Sequence, residues 1–287
     1  MELKQLQYYV TVVEEGNITA AAKKLHIAQP ALSNHMKSLE EELEVILFQR
    51  GSRKITLTDA GQLLFDKAIS ILELKKSIKN ELSETKSGFK GTLRIGMISA
   101  IDADFIEKHF LKFHEAFDKV RYEIYEGITP NIIRLLYAGT IEIGIVRTPF
   151  ETAGLNVIYM ESEPMIAAYK KDYGLDQLKE VSIPELNEKP LIIYRRFKNE
   201  VLAAFQKEGI NPYLLCVNDD SRTSLLWANA GLGIAIVPLS SKNLVLANHL
   251  KYKVINNQAL FTQNAVVTLE GTKLSTIAAN FINNTYS

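Results

Sequence analysis

Apolar residues recur at helical spacing near the start of the chain. Between Leu6 and Val13 they lie four and three positions apart, which places them on one face of an amphipathic helix. Gly16 is expected to end this helix, because glycine readily adopts the left-handed conformation that follows a last helical turn. A second, shorter helix is predicted to begin directly afterwards, with Asn17 or Thr19 as its cap.

A third helix is predicted to begin at Gln29 and Pro30, because a proline in the first turn lacks only an N–H that the helix does not use. Its apolar stripe consists of Leu32, Met36, Leu39 and Leu43. The small side chains of Ala20, Ala21 and Ala22 are expected to let the second helix approach the third closely. This pattern indicates a helix-turn-helix.

The polar face of the third helix carries groups suited to base edges and phosphates, namely Gln29, Ser33, Asn34 and Lys37. In a helix-turn-helix, the second of the two helices enters the major groove of DNA. Thr19, at a helix N-terminus, is a further candidate because its backbone N–H suits a phosphate. The alternative is a helical hairpin with a solvated polar face.

The segment from Leu47 to Thr58 is predicted to form a small β-hairpin, or wing, with its turn at Gly51–Ser52. Arg53, at the tip, is positioned to enter a minor groove. Arg50 and Lys54 are positioned to hold phosphates. The alternative for all three is a set of solvated surface charges.

One long helix is predicted from Asp59 to about Lys86. Its apolar residues follow a four-three repeat at Leu64, Ala68, Ile71, Ile78 and Leu82, interrupted by Lys75. Such a stripe favours a helix that pairs with a copy of itself. The alternative is a helix docked on its own domain. Ser87–Gly91 then reads as a linker.

The rest of the chain alternates between predicted strands and helices. The predicted strands are TLRIGMI, RYEIYEG, IEIGIVR, PLIIY, LLCVN and GIAIVP. The helices between them carry apolar faces, as in DFIEKHFLKFHEAF and NEVLAAFQKEG. This alternation predicts an α/β region with a parallel sheet. The last helix, LSTIAANFINNTY, is expected to return to the first half of this region.

An internal similarity divides this region into two halves. Tyr137–Pro149 and Asn229–Ser240 each contain a helix that ends in Ala-Gly, then a strand, then a proline. Two similar subdomains would bind a ligand between them, at the C-terminal ends of their strands. Thr129 begins a helix where its hydroxyl and the N-terminal N–H groups suit a carboxylate. Arg147 and Arg195 follow strands and are candidate anion partners, with a structural ion pair as the alternative for each.

Composition and charge limit the class of protein. The net charge is zero, and residues 1–58 carry seven Lys or Arg against seven Asp or Glu, so any nucleic-acid surface must be local. The single cysteine, Cys216, allows no internal disulfide and suits a reducing compartment. The N-terminus lacks the apolar core of a signal peptide, and no apolar run approaches about 18 residues. We therefore expect a soluble, cytoplasmic protein without membrane contact.

The chemistry of catalysis is missing from the sequence. Cys216 lies in an apolar strand, which suits a buried small side chain. His109 and His114 are five positions apart and do not share a helix face, so they give no metal spacing. No cofactor, metal or catalytic residue is expected. The alternative of an α/β enzyme with an accessory helical domain would need a nucleophile–base pair or a metal cluster, and a solute-binding protein would need an export signal.

Residues 1–66 resemble the DNA-binding domain of LysR-type transcriptional regulators. The resemblance rests on LKQLQYYVTVVEEGNITAAAKKLHIAQPALSNHMKSLEEELEVILFQR and on ITLTDAGQLLF after it. It implies an all-α winged helix-turn-helix and a linker helix, then an α/β effector domain of two Rossmann-like subdomains similar to periplasmic binding proteins. The expected division is 1–58 for DNA binding, 59–90 for the linker (dimerisation) helix and hinge, and 91–287 for the effector, with subdomain I at about 91–161 and 266–287 and subdomain II at about 162–265.

The resemblance also implies partners. A regulator of this type is a homo-oligomer, a dimer or usually a tetramer, that binds two-fold-related half-sites on double-stranded DNA. It holds a small-molecule effector between its subdomains, and arginines with hydroxyls favour a small organic anion. We also expect contact with RNA polymerase in a bacterial cytoplasm. Neither the effector nor the sign of regulation follows from the sequence.

The family's functional positions map onto individual residues here. On the DNA side they fall on Gln29, Pro30, Ser33, Asn34, Lys37, Arg50 and Arg53. Asn34 stands where the family often has arginine, so the resemblance implies no direct guanine contact there. On the effector side Ser99 and Ala100 end the first strand, as in the family's pocket. An anion held by Ser99 and Thr129 on one side and by Arg147 or Arg195 on the other is the expected arrangement.

Overall fold

The computed structural model describes residues 1–49, 55–84, 91–246 and 249–286. The chain forms two compact units, residues 1–91 with 134–142, and residues 92–133 with 143–287. The first unit is helical, and the second contains two β-sheets with flanking helices. The predicted fold class, an N-terminal winged helix-turn-helix with a linker helix followed by an α/β domain with two subdomains, is confirmed.

Four helices form most of the first unit: α1 (Leu3–Glu15), α2 (Ile18–Lys24), α3 (Gln29–Leu43) and α4 (Asp59–Glu84). Gly16 ends α1 as predicted, with φ of 62° and its N–H bonded to the carbonyl of Val13 at 3.2 Å. Asn17 rather than Thr19 caps α2, because its side-chain oxygen accepts the N–H groups of Thr19 and Ala20. Core residues shared by the four helices include Leu6, Tyr9, Val12, Ala21, Leu32, Met36, Leu39 and Ala68.

The close approach of α2 and α3 uses two alanines rather than three. Ala21 and Ala22 are buried, whereas Ala20 is exposed, so the prediction is wrong for Ala20. Each helical residue turns by about 100°, which carries Ala20 away from the face that contacts α3. The turn between the helices has no glycine, and His26 takes the left-handed conformation there, with φ of 55°.

The apolar stripe of α4 serves two purposes along its length. Ala68 is fully buried and Leu64 packs against the same core, so this part of the helix docks on its own domain. Further along, Ile71, Leu74 and Ile78 are 36%, 58% and 51% exposed. The single self-pairing stripe predicted from the sequence is therefore divided, and only its second part is available to a partner.

The start of α4 is tied to the rest of the first unit. The hydroxyl of Tyr9 donates to the carbonyl oxygen of Gly61 at 2.7 Å. Gly61 itself lies so close to the carbonyl of Leu47 that a Cβ at this position would clash with it. Thr58 bonds to Ile46 and to the N–H of Gly61 through its hydroxyl, at 2.6 and 3.0 Å. These contacts fix α4 relative to the helix-turn-helix.

Eleven strands lie within the described ranges: β1 (Gly91–Ile98), β2 (Val120–Gly127), β3 (Ile143–Arg147), β4 (Leu155–Glu163), β5 (Met165–Tyr169), β6 (Glu180–Val181), β7 (Leu191–Tyr194), β8 (Leu214–Asn218), β9 (Ile234–Pro238), β10 (Lys251–Ile255) and β11 (Thr262–Leu269). The α-helices after α4 are α5 (Ala103–Ile106), α6 (Lys112–Ala116), α7 (Thr129–Tyr137), α8 (Lys198–Lys207), α9 (Ser221–Asn229) and α10 (Thr276–Tyr286). Short 3-10 helices follow β7 (Arg195–Phe197) and β9 (Leu239–Leu244). Two further 3-10 turns lie at Pro184–Leu186 and Gln258–Leu260.

The first sheet has the strand order β2-β1-β3-β11-β4. β1 and β3 are parallel, with Ile95 opposite Ile143, whereas β11 runs antiparallel to both β3 and β4. The predicted parallel pairing is present between β1 and β3, and the antiparallel strand β11 makes the sheet mixed. The last helix, α10, returns to this sheet as predicted, because Phe281 packs with Ile95 in one core.

The second sheet has the order β6-β10-β5-β9-β7-β8. β8, β7 and β9 are parallel, and β5 is antiparallel to β9. Alternate residues point to opposite faces: Ile193 packs with Phe205 of α8, and Ile192 packs with Leu225 of α9. The chain enters this sheet after Glu163 and returns to the first sheet at Thr262.

The helical segment after β1 contains one π-helical turn, Glu107–Leu111, between α5 and α6. Phe105, Phe110 and Phe113 are all buried, although the first two are five positions apart. Five residues overshoot one turn of an α-helix, so the wider turn brings both rings to the same face.

Candidate functional site

The two faces of α3 differ as the sequence predicts. Leu32, Met36 and Leu39 are at most 3% exposed and belong to the core of the first unit. On the other side Gln29, Pro30, Asn34 and Lys37 are exposed, and Ser33 is half-buried. The helix therefore presents amide, hydroxyl and ammonium groups to the outside while its apolar face is sealed.

The charge on this face is available to a ligand. The ammonium of Lys37 lies 3.5 Å from the carboxylate of Glu41, with side chains 76% and 66% exposed. An exposed pair of this kind contributes little, at most about 1 kcal/mol, so a phosphate can replace Glu41 at small cost. No side chain caps the first turn of α3, which follows Ala28.

Thr19 has a more limited role than its position suggests. Its backbone N–H donates to the side-chain oxygen of Asn17 at 2.7 Å. The prediction that this N–H is offered to a phosphate is wrong, because the cap of α2 already uses it. The side chain of Thr19 is exposed, so its hydroxyl is the group that remains for such a contact.

The base of the wing is formed as predicted. Phe48 and Leu57 form an antiparallel bridge, and the N–H of Gln49 donates to Thr56 at 2.9 Å. Glu40 of α3 accepts the N–H of Leu47 at 2.7 Å, which ties the wing to α3. Three predicted DNA contacts, Arg50, Arg53 and Lys54, lie outside the described residues.

Arg147 ends β3 and is the largest fully buried side chain. Its Nη1 donates to Oε1 of Glu163 at 2.6 Å, and its Nη2 donates to Oγ of Ser240 at 3.1 Å. Ser240 also donates to Glu163, through its N–H at 2.5 Å and its hydroxyl at 2.8 Å. Because Ser240 follows β9, this cluster joins the two sheets. Of the two alternatives for Arg147, the structure contains the ion pair.

Thr129 and Arg147 are in contact, but through the backbone of Arg147. The hydroxyl of Thr129 accepts the N–H of Arg147 at 3.3 Å and lies 3.4 Å from its carbonyl oxygen. Thr129 is 1% exposed. Its hydroxyl therefore fixes the end of β3 beside the start of α7, which is a positioning role for Arg147.

The other predicted effector residues lie at strand ends. Ser99 and Ala100 form the turn after β1 and are half-buried. Arg195 follows β7, is exposed, and pairs with Asp219 at 2.6 Å. As with Arg147, the ion-pair alternative is the one that the structure contains. Ser99 and Ala100 are thus open to a ligand contact, whereas both predicted arginines already have carboxylate partners.

The neighbour of Arg195 was not predicted from the sequence. Nη2 of Arg196 donates to the carbonyl oxygens of Arg147 and Pro149, the latter at 3.0 Å. Its Nε is buried without a hydrogen-bond partner. Burial lowers the pKa of Arg196, since desolvation disfavours the charged form. The sequence signal was the Arg195–Arg196 pair itself, which does not reveal which side chain turns inward.

Two ionisable side chains near the same strand ends also have shifted pKa values. Burial raises the pKa of the Tyr194 hydroxyl at the end of β7, so this group stays neutral and available as a donor. Burial alone would raise the pKa of Asp220, but hydrogen bonds from the side chain and backbone of Arg222 outweigh it and lower the value. Asp220 therefore remains an anion that caps α9.

Within the described ranges, no group of three or more His, Cys, Asp or Glu side chains is arranged to hold a metal ion. In the same ranges no helix has the length and apolarity to cross a bilayer. Cys216 is half-buried in β8 and packs beside the apolar core that includes Ile192 and Leu225.

Comparison with family models covers nearly the whole chain. Residues 3–62 match the model described as a bacterial regulatory helix-turn-helix protein of the lysR family. Residues 86–285 match the LysR substrate binding domain. The two matches follow the same order as the helical unit and the two-sheet region.

Several characterised proteins are similar over most of their length. The HTH-type transcriptional regulator BsdA of Bacillus subtilis is 30% identical over 276 residues, 93% of this chain and 94% of BsdA. BenM of Acinetobacter baylyi is 30% identical over 257 residues, 86% of this chain and 84% of BenM. The crystal structure of full-length BenM superposes with a TM-score of 0.60, covering 99% of this chain and 95% of BenM. Full-length CbnR, crystallised with its target DNA, superposes with a TM-score of 0.76 at 24% identity, covering 99% of each chain, and shares the fold.

Proposed function

The chain belongs to the LysR family of bacterial helix-turn-helix transcriptional regulators, and we propose that the exposed face of α3 reads its DNA target. It is a DNA-binding regulator with an effector-binding domain rather than an enzyme. The supporting observation is the division of α3 into a sealed apolar face and an exposed polar one. A structural helical hairpin would not need exposed amide and ammonium groups gathered on one side.

The proposed DNA contacts are divided by their chemistry. Gln29, Ser33 and Asn34 face base edges, because amides and hydroxyls both donate and accept. Lys37 and the hydroxyl of Thr19 contact phosphates, and Pro30 packs against the backbone sugar. In the wing, Arg53 enters the minor groove while Arg50 and Lys54 hold phosphates.

This assignment is tested with a duplex that the wild-type protein selects from random DNA. Asn34→Ala should weaken binding to the selected site by about 1–3 kcal/mol and leave binding to a scrambled duplex unchanged. Lys37→Ala should weaken both, and it should lower the slope of log affinity against log salt by about 1. The control is Asn156→Ala, which removes an exposed amide from β4. Equal losses for Asn34→Ala on both duplexes would show that this side chain reads no base.

The wing has its own test. If Arg53 enters the minor groove, Arg53→Ala should weaken specific binding by about 1–3 kcal/mol at fixed salt. Fluorescence anisotropy with the selected duplex measures this loss, and a footprint shows where it falls. An unchanged affinity and footprint would remove Arg53 from the interface.

We propose that the chain acts as a homo-oligomer that pairs through α4 on two-fold-related half-sites. Ile71, Leu74 and Ile78 are exposed and lie three and four positions apart, which forms one apolar stripe. Leu74→Glu should dissociate the oligomer in sedimentation velocity, whereas Gln62→Glu introduces the same carboxylate at an exposed position on the opposite face of α4 and should not. Unchanged association of Leu74→Glu would exclude this stripe as the interface. We also propose that the DNA-bound oligomer contacts RNA polymerase.

We propose a division into a DNA-binding part (1–58), a linker helix with hinge (59–90) and an effector domain, with subdomains at about 91–161 with 266–287 and at about 162–265.

A small organic anion binds between the two subdomains, beside Ser99 and Ala100 and near Thr129, Arg147 and Arg195. Effector binding then changes the angle between the subdomains. This change alters the spacing of the two α3 helices in the paired protomers. Ser99→Ala should abolish the effector response of a reporter promoter without lowering DNA affinity, and a loss of DNA affinity would mark Ser99 as structural.

A further inference from the structure

The arginines around the strand ends of the second unit are unequally paired. Arg147 is neutralised by Glu163, Arg195 by Asp219 and Arg222 by Asp220. Within the part of the chain that the structure describes, Arg196 forms no salt bridge with any carboxylate. Its polar contacts there are backbone carbonyl oxygens.

Arg196 lies across the gap between the two sheets. It follows β7 of the second sheet, and its Nη2 reaches the carbonyl of Arg147, which ends β3 of the first sheet, and that of Pro149 two residues later. Parallel strands bind ligands beyond their C-terminal ends, and β7 and β3 both end here. The guanidinium is therefore held at the place where a ligand between the subdomains would lie.

The donors of this region are incompletely used. Nε of Arg196 is buried and has no acceptor. Ser241, in the 3-10 helix after the neighbouring strand β9, is 1% exposed, and its hydroxyl also has no partner. A buried donor without an acceptor costs free energy, and a buried cation without a counter-ion costs more. At Arg196, a ligand that supplies acceptor oxygens with negative charge would remove both costs.

The nearest protein carboxylate does not satisfy Arg196. Glu200 lies four residues further on in α8, and its charge favours the charged form of Arg196. No hydrogen bond joins the two side chains, and Oε2 of Glu200 is itself buried without a partner. Glu200 therefore acts on Arg196 through space, and Nε of Arg196 is left without an acceptor among the described residues.

We propose that Arg196 binds the carboxylate of a monoanionic organic effector. The inference rests on the proposed effector cleft and specifies the class of ligand there. A carboxylate matches the fork of the guanidinium, with one oxygen on Nε and the other on an Nη group. One negative charge balances the cleft, because Arg147 is buried with Glu163, and Arg195 lies with Asp219 at the exposed surface. A dicarboxylate would leave its second charge without a cation.

Ligand binding at Arg196 also affects the junction of the sheets. Nη2 of Arg196 is the donor that connects β7 to the carbonyls after β3. A carboxylate that engages this guanidinium competes with, or reorients, these two bonds. The charge of the effector therefore acts on the contact between the subdomains that Arg196 makes.

The test uses the full-length protein and three monocarboxylates, sodium acetate, pyruvate and benzoate, with benzamide and succinate as neutral and dianionic comparisons at equal ionic strength. Near 100 times its Kd, a monocarboxylate should raise the Tm of the wild type by about 5 °C. Arg196→Gln should abolish this shift, and Arg196→Lys should retain part of it, since lysine keeps the charge without the fork. Arg121→Gln removes an exposed arginine of β2 and should keep the full shift.

Each contrary result overturns the inference. The first two are an unchanged monocarboxylate-induced Tm shift in Arg196→Gln and a loss of this shift in Arg195→Gln instead. The others are equal Tm shifts with benzamide or succinate, and no Tm shift of the wild type with any of the three monocarboxylates. A further measurement needs no ligand: Arg196→Gln should melt within about 2 °C of the wild type, whereas a fall as large as that of Arg147→Gln would mark Arg196 as structural. Wild-type binding to the selected duplex is measured in parallel. Its absence would contradict the proposed function, whereas intact DNA binding with a failed carboxylate result overturns this inference alone.

Discussion

The pair of Arg147 and Glu163 should stabilise the second unit through coupling rather than through either charge alone. Arg147→Gln leaves the carboxylate of Glu163 in a site where its side chain is 18% exposed, with Ser240 as its remaining donor among the described residues. Glu163→Gln leaves the guanidinium of Arg147, 2% exposed, without a counter-ion. The double variant removes both charges and keeps the hydrogen-bonding amides near Ser240.

The loss of unfolding free energy expected for each variant follows from the burial of the ion pair. Loss of one partner of a buried ion pair costs about 3–5 kcal/mol, and we expect about 3 kcal/mol because Glu163 is only partly buried. The double variant should lose about 1 kcal/mol, since neither charge is left alone. The coupling free energy between the two positions is then about 5 kcal/mol, well above the value for independent sites.

The assay is urea unfolding followed by tryptophan fluorescence. The chain has one tryptophan, Trp227, which lies on α9, so its fluorescence reports on the second unit. With an m-value of about 2 kcal/mol per molar urea, each single variant should lower the midpoint by about 1.5 M. The reasoning is refuted if the double variant loses as much as the two single variants together. A loss under about 0.5 kcal/mol for Arg147→Gln would equally contradict it, because surface substitutions have effects of that size.

Three further predictions concern local features. Gly61→Ala should lower the stability of the first unit by about 3 kcal/mol in circular-dichroism melts, because its Cβ would clash with the carbonyl of Leu47. Gly16→Ala, with φ of 62° but no neighbour within 4 Å, should lose only about 1 kcal/mol, and equal losses would contradict the steric reason. Asn17→Ala should cost about 1 kcal/mol in the same melts, since two N–H groups lose their acceptor, and an unchanged Tm would contradict this. Burial lowers the pKa of His109 below its usual 6.5, so near this pH the unfolded chain binds a proton that the folded chain does not. The urea midpoint measured by fluorescence should therefore fall as the pH drops through 6.5. His109→Phe should reduce this dependence of the midpoint on pH.

Elements specified by neighbouring residues could be predicted from the sequence. The helices α1 to α4 carry apolar positions three and four apart, and their ends carry Gly16 and Asn17, so both periodicity and caps are local signals. The strands β1, β3, β7, β8 and β9 are short apolar runs between helices. The exposed face of α3 followed from the same periodicity, because the buried stripe leaves the remaining positions outside.

Long-range pairing could not be predicted in the same way. β4, β5, β10 and β11 were not identified, and the mixed character of both sheets depends on them. β11 pairs with β3 and β4 more than 90 residues earlier, and no local pattern states whether such a partner is parallel or antiparallel. The five-residue step from Phe105 to Phe110 is a signal for the π turn, but the surrounding apolar spacing predicts an ordinary helix.

The charge balance of the proposed effector cleft is the feature that the sequence pattern predicts least. An arginine after a strand is recognisable in sequence, yet Arg195 and Arg196 both follow β7. They occupy a 3-10 helix, in which successive residues turn by about 120°, so adjacent side chains point to different sides. One reaches Asp219 at the surface and the other reaches the carbonyls after β3. Which cation is left for a ligand depends on partners distant in sequence, Glu163 for Arg147 and Asp219 for Arg195, and only the folded chain decides that pairing.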